Sequence, residues 1–136
     1  RMGYYYMTKA QIQYKLLILS DLKIAESLKD SDSKSDRLMA AYHVQQAIEK
    51  TIKLKAEICG VNLWEHNIRL LLRECDNKKL PLNAPSVIRR NADIYTQWEA
   101  DCRYYPVKVV RRDSLNKAYE TIKNWLESGS TATLSK

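Results

Sequence analysis

The sequence predicts an all-α protein, an antiparallel bundle of about five helices in one domain. Gly and Pro number only three each among 136 residues, which leaves few turn-forming residues for a many-stranded sheet. Apolar residues recur at helical spacing in several long stretches. The longest of these, Ser35 to Gly60, has no Pro or Gly before its last residue, which is placed to end a helix.

This long helix is predicted to lie at the centre of the bundle. At about 100° per residue its apolar side chains cover an arc of roughly 160°, whereas a surface helix needs only about 100°. The residues of this arc are Ala40, Ala41, Val44, Ala47, Ile48, Thr51, Ile52, Leu54 and Ile58. Polar residues such as Gln45 and Glu49 fall on the opposite side. Lys55 falls inside the arc and is expected to extend its ammonium outward to solvent.

The first helix is predicted to begin at Thr8, which forms a capping-box pattern with Gln11, and to run to about Lys29. A polar connection, Asp30 to Asp36, follows it. Because this connection is short, the first two helices should be antiparallel neighbours.

Three more helices are expected downstream. One covers residues 65–74, and the next is opened by Pro85 at its first position and runs to about Tyr104. Asp113 or Ser114 is expected to cap the last helix.

The domain is therefore predicted to span residues 8–128. Residues 1–7 look unlike the rest and are interpreted as an N-terminal extension or a remnant of cloning. Gly129 is expected to stop the last helix, and residues 129–136 are small and polar, which favours a disordered tail.

Composition narrows the function classes. The net charge is +7, with 23 Lys and Arg against 16 Asp and Glu, which favours an anionic partner such as nucleic acid or a nucleotide, although solvated lysines produce the same balance.

There is no apolar run of about 18 residues, so no membrane span is predicted, and no signal peptide is apparent. Cys59, Cys75 and Cys102 are too widely spaced for a metal site, so reduced cysteines in a cytoplasmic protein without a cofactor are expected.

The best candidate for an anion site is a set of basic residues that brackets Pro106, which we call the basic turn. Its members are Arg103, Lys108, Arg111 and Arg112. No Asp or Glu lies between the first and the last of them, and the segment leads into a helix N-terminus, whose free N–H groups favour phosphate. Tyr104 follows the first arginine directly. A solvated basic loop is the alternative interpretation.

Several segments together resemble the HEPN domain family across about residues 8–127. They are Gln45-Gln46-Ala47-Ile48-Glu49-Lys50 with Lys53 and Gly60, His66-Asn67-Ile68-Arg69-Leu70-Leu71, and Arg103-Tyr104-Tyr105-Pro106. The resemblance implies a bundle of four or five helices that is usually dimeric. It also implies either partnership with a minimal nucleotidyltransferase, as a toxin–antitoxin pair, or metal-independent ribonuclease activity.

Family ribonucleases carry Arg, then four to six intervening residues, then His, and this chain departs from that pattern. After Arg103 the three allowed positions are occupied by Lys108–Val110. Only Arg37 and His43 satisfy the spacing, but they point about 120° apart on one helix, so we interpret the match as chance. No catalytic residue is therefore assigned.

The leading hypothesis is a dimeric HEPN-domain protein that acts with a nucleotidyltransferase partner or binds a nucleotide or RNA, without the ribonuclease motif. The candidate binding residues are Arg103, Tyr104, Lys108, Arg111, Arg112, Glu49 and Lys50. Glu49 and Lys50 form either a binding pair typical of the family or a solvated helix face. His66 is expected to cap or pack at a helix start. The alternatives are a divergent ribonuclease toxin built on Arg103 and a structural dimeric interaction module.

Overall fold

The computed structural model describes residues 7–105 and 108–132. Within these ranges the chain forms six α-helices and one 3₁₀ turn, and no strand. The elements are α1 (Lys9–Leu28), α2 (Lys34–Ile58), α3 (Ile68–Asn77), α4 (Ser86–Arg90), α5 (Ala92–Tyr104), α6 (Arg112–Leu126) and the 3₁₀ turn (Gly129–Thr131). The all-α prediction is confirmed.

Helix α2 is the centre of the bundle, as its wide apolar arc predicts. It packs against α1, α3, α5, α6 and the 3₁₀ turn. Its fully buried apolar side chains are Ala40, Ala41, Val44, Ala47, Ile48, Ile52, Leu54 and Ala56. The expectation for Lys55 is wrong, because its side chain is buried in the bundle and only 4% exposed.

Local hydrogen bonds set the starts of α1 and α3. The capping box of α1 is confirmed, since Gln11 N–H donates to Thr8 Oγ1 at 3.1 Å and Thr8 N–H donates to Gln11 Oε1 at 3.0 Å. Asn67 caps α3 by accepting from Leu70 N–H at 3.0 Å. Helix α3 therefore begins after Asn67 and not at Glu65, whose carboxylate instead accepts the backbone N–H groups of His66 and Asn67 at 3.0 Å each.

The helix expected from Pro85 to Tyr104 is divided in two at Asn91, and Pro85 precedes its first residue. The Asn91 backbone leaves the helical region, with φ of −108° and ψ of 17°. Its side-chain amide donates to Val87 O at 3.1 Å. The same carbonyl also accepts the Asn91 backbone N–H at 3.2 Å, so this helical bond is kept and the break lies in the dihedral angles of Asn91.

The last helix begins earlier than expected. Arg111, not Asp113 or Ser114, is the N-cap of α6, and Leu115 N–H donates to Arg111 O at 3.0 Å. The helix ends at Leu126, and Gly129, with φ of +62°, opens the 3₁₀ turn instead of stopping α6. Thr131 is fully buried, so the expected disorder is wrong for Gly129–Thr131. The predictions for residues 1–6, Pro106 and 133–136 lie outside the described residues.

No helix within the described ranges is both long enough and apolar enough to cross a membrane.

Candidate functional site

The basic turn joins the end of α5 to the start of α6. Arg103 lies in the last turn of α5, with Nη2 at 3.2 Å from Glu99 Oε2. Lys108 and Arg111 lie in the connection and are exposed. Among the described residues, neither of these two makes an ion pair, so their charges are available to a ligand.

Arg112 has a different role from the other members of the basic turn. Its Nη2 lies 2.8 Å from Asp32 Oδ1, and the guanidinium also approaches the carbonyl oxygens of Asp30 and Ser31 at 3.5 and 3.4 Å. These contacts tie the start of α6 to the connection between α1 and α2. Arg112 therefore contacts another part of the fold, whereas Lys108 and Arg111 make no ion pair among the described residues.

Exposed aromatic side chains and the N-terminus of α6 lie close in sequence to Lys108 and Arg111. Tyr104 is 67% exposed and Tyr105 is 52% exposed. The N-terminus of α6 has no side-chain cap, and next to it lies a cavity of about 280 Å³ lined by residues that include Ser114 and Lys117. Free N–H groups and the positive end of the helix dipole favour an anion at such a position, although Asp113 in the first turn opposes it.

The structure does not bring Glu49 and Lys50 together as one pair. Lys50 Nζ lies 2.7 Å from Asp21 Oδ2, whose other oxygen lies 2.9 Å from His43 Nδ1. This network joins α1 to α2. His43 is therefore held in a contact between helices.

Glu49 belongs to a second network, on the side of α2 that faces α3. Its carboxylate is buried and accepts from Gln45 Nε2 at 3.1 Å, Lys53 Nζ at 2.8 Å and His66 Nδ1 at 2.7 Å. The sequence interpretation missed this contact of His66. The sequence does carry a signal for the part of the network within α2. Residues 45, 49 and 53 are spaced four apart and therefore lie along one face of the helix.

The residues with ribonuclease-like spacing do not form one site. Arg37 is buried and donates from Nη1 to Ser31 O at 2.7 Å, whereas His43 faces Asp21. Within the described ranges they share no hydrogen-bond partner, which supports the interpretation of their spacing as chance.

Comparison with curated proteins and with solved structures gives no match. A comparison with protein families does give a match. The model of the HEPN domain matches residues 19–130, which run from the middle of α1 into the 3₁₀ turn and so include the basic turn and both carboxylate networks. The chain therefore belongs to the HEPN domain family.

Proposed function

We propose that this HEPN-domain protein binds single-stranded RNA or a nucleotide through the basic turn. The observation that carries the proposal is the position of two exposed tyrosines, Tyr104 and Tyr105, within a segment whose charged residues are all basic. Exposed aromatic rings beside free cations are the combination that single-stranded nucleic acid requires, because bases stack while phosphates pair with the cations.

The phosphate contacts are assigned to the residues that the fold leaves available. Lys108 and Arg111 are exposed, and Arg111 is the N-cap of α6, so its guanidinium and the helix end can contact the same phosphate. Arg103 can contribute even though it contacts Glu99 at 3.2 Å, because its own side chain is 55% exposed and can exchange this partner for a ligand.

We expect Lys108→Ala combined with Arg111→Ala to weaken RNA binding by roughly tenfold at moderate salt. Each lost phosphate contact should also flatten the dependence of log K on log salt by about one unit. Fluorescence anisotropy of a labelled oligouridylate ten nucleotides long, over a series of salt concentrations, measures both effects. Arg112 is left intact because its loss would also release the contacts to Asp32 and Ser31.

The matched control is Lys9→Ala with Lys23→Ala, which removes the same charge from exposed positions on α1. It should lower affinity far less. If the Lys108 and Arg111 variant binds like the parent at every salt concentration, the proposal is wrong. Gel analysis of the recovered RNA should show it intact, whereas cleavage that Arg103→Ala abolishes would favour the divergent ribonuclease instead.

Dimerisation is a further part of the proposal, and the exposed apolar face of α1 supports it. Leu16, Leu17 and Ile24 are 39%, 56% and 40% exposed, and the last two, seven residues apart, share one helix face. In sedimentation equilibrium at micromolar concentration, the parent is expected at twice the chain mass of 15.9 kDa. Leu17→Glu with Ile24→Glu should give monomers, since each charge would be buried at the interface.

Ile94→Glu is the matched control for that measurement, because Ile94 is 49% exposed but lies on α5. It should leave the dimer intact. A parent protein that sediments as a monomer would rule out the dimer, and with it the structural dimeric interaction module.

Action with a nucleotidyltransferase partner, of the toxin–antitoxin type, rests on the family resemblance and has no residues assigned to it. A cytoplasmic location is part of the same proposal. It is supported by the three cysteines, which are all free thiols.

A further inference from the structure

A second cleft lies away from the basic turn, between α1, the end of α2 and the connection from α2 to α3. Its volume is about 420 Å³, and it is lined by Tyr14, Lys53, Glu57, Asn62, Leu63, Trp64 and His66. We call it the Trp64 cleft. No member of the basic turn lines it.

The backbone holds Trp64 in an exposed position. Its side chain is 83% exposed, although the preceding Leu63 is buried at 6% and anchors the connection in the core. Gly60, with φ of +85°, adopts the left-handed conformation that ends α2, and Val61 N–H closes the turn on Ala56 O at 3.0 Å. A large ring kept in solvent by a fixed backbone indicates recognition, because Trp is enriched where partners bind.

The hydrogen bond between His66 and Glu49 determines which ring nitrogen of His66 is left to contact a ligand in the cleft. An ionised carboxylate only accepts hydrogen bonds, so the proton of the neutral His66 ring lies on Nδ1, 2.7 Å from Glu49 Oε2. In that tautomer of the neutral ring Nε2 is an acceptor, and the side chain is 77% exposed. Glu49 also forms an ion pair with Lys53, whose Nζ lies 2.8 Å from Glu49 Oε2.

Glu57 is the remaining charge in the cleft, and within the described residues it makes no ion pair. The pKa of the Tyr14 hydroxyl is raised, first by burial and then by the carboxylates of Glu49, Glu57 and Asp21. The other two carboxylates are paired with lysines of α2, so among the described residues Glu57 is the one that leaves an uncompensated negative charge beside Tyr14. A phosphate is disfavoured here, whereas a planar cation is favoured.

We propose that the Trp64 cleft binds the guanidinium group of an arginine side chain from a partner protein. A guanidinium carries five donors and no acceptor, which complements the Glu57 carboxylate and His66 Nε2. Its planar, weakly hydrated cation stacks on an indole, which a lysine ammonium does less well. The occupant differs from the RNA or nucleotide of the basic turn in both charge and chemistry.

Tryptophan fluorescence tests the proposal, because Trp98 and Trp125 are each only 4% exposed and a ligand in solvent reaches Trp64 alone. The probe is acetyl-Gly-Arg-Gly-amide, with an expected Kd of about 1 mM for one anchoring side chain. The lysine peptide should bind about tenfold more weakly, because its ammonium is not planar and interacts less well with the indole face. The citrulline peptide, which is planar but uncharged, should also bind about tenfold more weakly, since it loses the charge-assisted bond.

Glu57→Gln should weaken binding of the arginine peptide by about tenfold, as expected for a lost charged hydrogen bond. Glu120→Gln makes the same change at an exposed position on α6 and should leave the affinity unchanged. The proposal is overturned if the lysine or citrulline peptide binds equally well, if Glu57→Gln has no effect, or if guanosine 5′-monophosphate binds the cleft more tightly. The Lys108 and Arg111 variant should retain peptide binding, so failures of the two proposals are distinguishable.

Discussion

Replacing Trp125 by alanine is expected to lower the free energy of unfolding by about 4 kcal/mol, as for large aromatic residues removed from a core. Trp125 on α6 is only 4% exposed, and its indole N–H donates to Leu82 O at 3.0 Å. The Lys55 ammonium also lies 5.3 Å from the centre of its ring. The substitution therefore leaves a cavity, an unpaired carbonyl group and a buried ammonium without its aromatic neighbour.

Trp64→Ala is the matched control, because it removes the same side chain at a position that is 83% exposed. It should change the free energy of unfolding by no more than about 0.5 kcal/mol. Urea denaturation followed by far-ultraviolet circular dichroism measures both variants without relying on tryptophan emission. Similar losses in the two variants would contradict the position of Trp125 in the core.

The helices could be predicted because helical periodicity is visible in residues that lie close together in the sequence. The arc of α2 needed only the spacing of its apolar side chains, and the capping box at Thr8 only a separation of three residues. The break at Asn91 was missed because the surrounding pattern continues through it. The Asn91 side-chain amide bonds to Val87 O at 3.1 Å, a contact that the apolar pattern does not reveal.

The candidate sites were predictable only where their parts are close in sequence. The basic turn is one contiguous segment and was found as such. The contact of Arg112 with Asp32 was not, because the two residues lie 80 positions apart in the sequence. Likewise, Glu49 was expected only on a polar helix face. Its contact with His66 was missed because it depends on where the connection after α2 folds back.

Lys55 shows the same limit most clearly. Its position within the apolar arc was recognised, but its acceptors, Ser128 O at 2.9 Å and Thr131 Oγ1 at 2.8 Å, lie more than 70 residues away. A second buried ammonium, that of Lys15, donates to Thr131 O at 2.7 Å and contacts Glu127 at 2.9 Å. Two lysines of α1 and α2 therefore hold the 3₁₀ turn against the bundle.

This arrangement predicts an unusual dependence of stability on pH. Burial, reinforced by the charge of Lys15 and opposed by Glu127, lowers the pKa of Lys55 from 10.5 to about 8. Below pH 8 the ammonium is charged in both the folded and the unfolded chain, and the full penalty of burying it is present. Between pH 8 and 10.5 the unfolded chain keeps a proton that the folded chain has lost, so the contribution of Lys55 to stability rises with pH.

Lys55→Met removes this titration while keeping a long, unbranched side chain. We expect the free energy of unfolding of the parent, minus that of the variant, to rise by about 2 kcal/mol from pH 7 to pH 10. This value follows from 1.36 kcal/mol per pKa unit after a discount for solvent screening. Urea denaturation at each pH measures the difference, in which the titration of groups common to both proteins cancels. Lys117→Met, at an exposed position on α6, should show no such trend, and a constant difference for Lys55→Met would mean that the ammonium is not desolvated in the fold.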